Sequence, residues 1–188
     1  MAFTALPRFT GKSVVQVSAA EEKEILQQRT GFSVNGFSSD RVGRIWLLLQ
    51  VAAENKTFYL QTINQHFLSA EMNELVALYS ALPVFAYPQD WESRCAEGIR
   101  TNIAGVLEAT VYENPYPSEY LSEAEWNQMV LKAIFTGKEI NRIIGLEERA
   151  NMALSHMLID YAHERQAAGR PVDPQLWRLA DPFASEKK

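Results

Sequence analysis

Between Glu97 and Arg178 the chain is a succession of helix-compatible stretches, EGIRTN, ENPYPSEY, EWNQMVLKAIF, GLEERAN and DYAHER, that put polar side chains where a helix buries its apolar face. With Trp126 to Phe135 read as helical, the 3.6-residue period gathers Asn127, Val130, Leu131 and Ile134 on one side. Asn127 is therefore expected to be buried. A buried amide without hydrogen-bond partners costs roughly 1–3 kcal/mol, so a specific group, from the protein or from a ligand, should meet it. A chain patterned this way must pack its helices through polar contacts as well as apolar stripes.

The remaining signals are nearly all helical. Phe3 to Val17 is the exception, with Pro7, Gly11 and the β-branched Val14-Val15, and is expected to be extended. Ser18 and Glu21 have capping-box spacing at the head of EEKEILQQR, and Ser39 or Asp40 should cap the apolar segment RVGRIWLLLQVAAE. Another helix follows from about Thr57 to Phe67, and Ser69 is expected to cap the next, which stops at Pro83. Asp90 to Tyr112 reads as one helix with a bend, Asn114-Pro115-Tyr116-Pro117 as a break, Ser122 and Glu125 as a second capping box, and Glu148 to Ala168 as the last long helix. Trp46, Phe58, Tyr59 and Phe67 fall at core spacings. The expected fold is all-α: stacked helical hairpins, an irregular α-α superhelix or a bundle of about eight helices. Residues 1–37 are expected to form an extended segment and first helix, loosely docked; 38–183 a single all-helical domain; and 184–188 a disordered tail.

Charge and composition narrow the function classes. A net charge of −5 over 188 residues, with no basic run beyond Lys187-Lys188, argues against nucleic acid, which needs clustered Lys and Arg. No apolar stretch approaches the roughly 20 residues of a membrane helix, and no signal-peptide pattern opens the chain, so the cytoplasm is the expected compartment. Cys95 is the only cysteine, which excludes an intrachain disulfide and a cysteine-based zinc cluster. Phosphate loop, dinucleotide fingerprint, nucleophile elbow and HExxH are all missing, so no cofactor is expected.

The segments LYSALPVFAYP, EGIRTN, ENPYP, WNQMVLKAIF, GLEERAN, MLIDYAHER, AAGRPVDPQLWRL and the closing DPF resemble the EboA family closely from Leu75 to Phe183, and SDRVGRIWLLL resembles its N-terminal helix. The resemblance implies an all-α cytoplasmic protein, encoded in bacterial ebo clusters, that helps move a small-molecule precursor toward export alongside membrane and hydrolase-like partners of its cluster. It brings no catalytic residues with it, so a mechanism has to come from the side chains themselves.

Three constellations qualify. In a continuous helix through 90–112, Glu97, Ala104 and Glu108 form one stripe, with Arg100 in reach of Glu97, and Gly98, Asn102, Gly105 and Ala109 form a neighbouring stripe of small residues. This is either tight helix packing with an internal ion pair or the wall of a ligand pocket, and Glu97 and Glu108 are candidates for an acid and a base. His156, Asp160 and His163 have metal-ligand spacing, yet they project away from the inward stripe of Leu154, Leu158, Tyr161 and Arg165, and the DYAHER resemblance includes no histidine at 156. The third group is Asn114, Tyr116, Asn127, Lys132, Arg149, Asn151 and Arg165. It reads either as a buried network fixing helix packing or as a polar patch for an anionic or phenolic metabolite.

The resemblance supplies the function expected, a traffic protein that binds a small molecule or hands it between partners, and the residues offer Arg100, Asn102, Asn114, Tyr116, Asn127, Arg149, Asn151 and Arg165 as binding candidates. The alternatives are a metal-independent acid/base enzyme using Glu97, Glu108 or His163, and a helical protein–protein adaptor.

Overall fold

The computed structural model describes residues 2–184. In chain order the helices are α1 (Ala2–Ala5), α2 (Pro7–Thr10), α3 (Ala19–Gln28), α4 (Ser39–Leu49), α5 (Lys56–Ser69), α6 (Met72–Ser80), α7 (Glu92–Arg100), α8 (Ala104–Val111), α9 (Tyr116–Tyr120), α10 (Glu123–Phe135), α11 (Met152–Ala167) and α12 (Gln175–Ala184). Short 3-10 turns cover Leu82–Val84, Pro88–Trp91 and Ile140–Arg142, and among the described residues the only β pairing is two isolated bridges. The chain is thus all-α. Its helix α6 lies between α4 and α8, α7 folds back on α8, and α11 and α12 form a hairpin laid against α10.

Local chemistry sets many of these boundaries. Both capping boxes form, Ser18 with Glu21 and Ser122 with Glu125, and each satisfies two amides that a helix start leaves free. Asn55 accepts from the Phe58 amide at the head of α5, and Asn151 accepts from the Leu154 amide at the head of α11. The expected Ser69 cap is not one: Ser69 ends α5 by donating to Gln65 O, and Glu71 takes the cap position of α6. The last long helix starts at Met152, not at 148, because Asn151 has β backbone angles and GLEER forms turns ahead of it.

The stretch expected to be extended begins instead with α1 and α2. Phe3 is buried there, and Arg44 of α4 donates through Nε to the Phe3 carbonyl at 3.2 Å while pairing with Asp40 one turn earlier. Farther on, Arg29 donates to Pro83 O at 2.7 Å and to both oxygens of Glu119, so the end of α3 is tied to a distant turn and to α9. The tail expected at 184–188 lies, past residue 184, outside the described residues.

The core follows the periodicity in most places. Tyr59, Ile63 and Phe67 bury one face of α5 at four-residue intervals, and Trp91, Trp126, Tyr116, Leu78 and Met129 are fully enclosed. Trp46 and Phe58 are exceptions to the expected core. They are 60% and 56% exposed, because the inward face of α4 is Asp40, Arg44, Ile45 and Leu48 and that of α5 begins at Tyr59.

Asn127 is buried on α10 and pairs with Asn151: each amide donates to the other's oxygen, at 3.1 and 2.9 Å. Replacing Asn127 by Ala strands the buried end of this pair and should lower unfolding free energy by about 1–3 kcal/mol in urea denaturation. Asn127→Ala combined with Asn151→Ala should cost less than the sum of the two single changes, since one interaction cannot be lost twice.

Candidate functional site

The sequence-derived stripe of Glu97 and Glu108 does not exist, because the chain leaves helix geometry at Thr101-Asn102-Ile103. Thr101 is extended, its hydroxyl accepts from the Ile103 amide at 3.2 Å, and Lys132 of α10 donates to its carbonyl at 2.7 Å. Glu97 remains on the exposed face of α7 and pairs with Arg94 at 2.7 Å, not with Arg100. Arg100 lines a largely apolar cleft of about 280 Å³ with Ile99 and Gln128, whereas Asn102 lines another of about 230 Å³ with Lys132 and Lys138. Gly98 serves packing: a Cβ there would come within 2.4 Å of the Tyr79 ring and 2.6 Å of Thr110 Oγ1.

The third constellation separates into three local devices. Asn114 is buried and donates to Tyr79 O and Ala109 O, at 3.1 and 3.0 Å, while its oxygen accepts from the Tyr116 amide. Tyr116 reaches Pro88 O through its hydroxyl, and burial pushes its phenol well above the ordinary tyrosine range, so it stays a donor. Arg149 lies over the Trp126 ring, 4.8 Å from its centroid, and donates to Pro117 O and Ser118 O beside the Asn127–Asn151 pair. Among the described residues Arg165 bonds only to Pro171 O, closing the turn after α11. On α11, Asp160 and His163 are exposed and His156 is half-buried, and among the described residues no three His, Cys, Asp or Glu side chains converge.

Charged groups do converge elsewhere, in a cleft of about 190 Å³ between α4, α6 and α8, to which Glu108 belongs. Arg41 of α4 forms one wall. Its guanidinium carbon sits 3.3 Å from the centroid of the Phe37 ring, its Nε donates to Ser80 Oγ at 2.8 Å, and Ser80 in turn donates to Val76 O. Arg41 is thereby held by two contacts, and burial pushes it down from 12.5 to about 10, a fall that Glu113 opposes and Arg142 adds to. It is a cation at neutral pH, yet among the described residues it has no ion pair.

The opposite wall is Glu113 and Arg142. Arg142 donates to both Glu113 oxygens, at 2.9 and 3.1 Å, and lies over the Tyr112 ring. The Glu113 amide donates to Arg142 O at 2.8 Å, and Glu113 has φ of +49°, a left-handed conformation that a non-glycine residue adopts at a cost. The backbone bridge between Tyr112 and Ile143 supports this geometry. Glu108 is satisfied from outside the cleft by Lys138 at 2.6 Å.

One family pattern matches the chain, over residues 1–181, and its description is metabolite traffic protein EboA. The chain belongs to the EboA family. The match takes in the N-terminal stretch, where the sequence resemblance was confined to SDRVGRIWLLL, so it spans α1 to α3 as well as α4. Compared with curated proteins and with solved structures, this EboA chain matches none. Among the described residues no helix is long and apolar enough to cross a membrane.

Sequence reasoning passed over Arg41, Ser80, Glu113 and Arg142. A signal for the first was available: Asp40, Arg41, Arg44, Ile45 and Leu48 share a helical face, so charged residues occupy a stripe that an apolar helix turns inward. Glu113 and Arg142 are 29 residues apart and meet only through the fold.

Cys95 is buried in α7, and burial, with the nearby Glu125 and Glu92 adding to it, pushes its thiol far up from the ordinary cysteine value. Native protein should therefore resist iodoacetamide at neutral pH. Alkylation should proceed at the rate of global unfolding, measured by intact mass across a urea series; fast labelling without urea would show that α7 opens locally.

Proposed function

We propose that this member of the EboA family takes part in metabolite traffic by binding a small molecule in the Arg41 cleft and releasing it to a partner. The observation that carries this reading is a fixed guanidinium without a carboxylate, set in a recess whose other charges are already matched. A protein normally leaves such a group unmatched only at considerable desolvation cost, and a ligand is the usual reason for accepting it. Arg41 also lines a second recess of about 160 Å³ with Lys12, Ser38, Asn73 and Asp40, whose carboxylate is paired with Arg44, so the groove continues past it. The two recesses together have the scale of a site for a small metabolite.

Several features favour holding over chemistry. The acid/base candidates sit apart: Glu97 is on α7 with Arg94, Glu108 is in the cleft with Lys138, and His163 is exposed on α11. A second reading, as a helical adaptor, draws support from Trp46, Leu49, Phe58 and Leu68, large apolar side chains exposed on α4 and α5.

Native mass spectrometry of the freshly purified chain, set against its denatured mass, tests the primary reading. An organic molecule should accompany the wild type and be lost from Arg41→Gln while the circular dichroism of the variant stays helical. A bound mass unaffected by that change would move the site elsewhere. No bound mass, together with capture of a partner that depends on Trp46 or Leu68, would favour the adaptor.

A further inference from the structure

Resting on the reading of this cleft as a metabolite site, we propose that its ligand carries a single negative charge of the carboxylate type, received by the free Nη groups of Arg41, and that Glu108 and Glu113 turn away dianionic phosphate esters. The argument is one of charge matching. Glu113 answers Arg142 through a two-bond fork, and Glu108 answers Lys138 at 2.6 Å. The one positive charge left over in the recess is that of Arg41, whose Nε is spent on Ser80 and whose ring-facing side is spent on Phe37.

A carboxylate is planar, takes a guanidinium edge in two parallel hydrogen bonds, and cancels one charge. It would also relieve the burial that depresses Arg41, because a desolvated cation gains most from an anion placed against it. A phosphate ester brings nearly two charges at neutral pH, and within this recess the second has no cation to meet, because Lys12 lines only the neighbouring one. It would instead face Glu108 and Glu113, which line the same recess, and like charges at close quarters in a partly dry site discriminate strongly. Val76 and Ala109 supply apolar wall for the body of the molecule, and about 190 Å³ corresponds to roughly six waters at about 30 Å³ each, the scale of a small ring or short chain. Arg142 is already engaged, with Nε and Nη2 on Glu113 and Nη1 3.9 Å from Glu139.

Three probes that share a ring separate the possibilities: benzoate, phenyl phosphate and neutral benzyl alcohol, each titrated to millimolar levels while backbone amide resonances of the full chain are followed. Benzoate is expected to shift Gly105, Ala109 and Glu113, with phenyl phosphate at least tenfold weaker. Arg41→Gln should weaken benzoate on the order of thirty-fold or more, and Arg41→Lys, which keeps the charge but loses the fork and the Ser80 bond, should fall between. Equal or tighter binding of phenyl phosphate at these residues overturns the inference while leaving the cleft a binding site. So does benzoate binding that survives Arg41→Gln. If none of the three probes, benzyl alcohol included, moves the cleft resonances, the binding-site reading itself fails and this inference goes with it.

Discussion

Helices end with carbonyls that have nothing to bond to, and the interior of this protein depends on how two of those ends are finished. Tyr79 O, at the close of α6, and Ala109 O, near the close of α8, both receive the side-chain amide of Asn114. The same residue accepts from the Tyr116 amide and so positions α9, whose Tyr116 reaches the turn before α7. One buried amide thus joins four elements. No apolar side chain of that size could do so, because the vacant carbonyls would remain.

The consequence for the site is direct. Ser80, which fixes the Arg41 guanidinium, directly follows Tyr79, so the amide that finishes α6 also settles where Arg41 is held. Glu113 directly precedes Asn114 and takes its left-handed turn where the chain leaves α8 to reach that amide. Ser80, which holds one wall, and Glu113 of the other are therefore next in sequence to Tyr79 and to Asn114 itself.

What could be read from the sequence was whatever rests on local rules. Both serine–glutamate boxes and the burial of Asn127 follow from spacings of three and about 3.6, whereas Asn151 was only one of several groups the sequence offered as its partner. The break between α7 and α8 was not readable. Thr101-Asn102-Ile103 contains neither Pro nor Gly, and the interaction that stabilises it, Lys132 on Thr101 O, comes from 31 residues away. That single break removed the carboxylate stripe and moved Glu108 to the side of Arg41. The same limit hid the Arg142–Glu113 fork, whereas Arg41 was passed over inside a segment read only as an apolar helix.

The pairing of Asn127 with Asn151 has a further implication, for the order in which the chain assembles. Asn151 caps α11 through the same oxygen that accepts from Asn127 of α10, at 2.9 and 3.1 Å. A helix start nucleates poorly without its cap, and here the cap side chain is held in place by the Asn127 amide of α10. The α11–α12 hairpin is then a late unit that zips up on a finished template, and in hydrogen exchange it should open ahead of the α4–α6–α8 layer, leaving the Arg41 recess intact while the C-terminal end breathes.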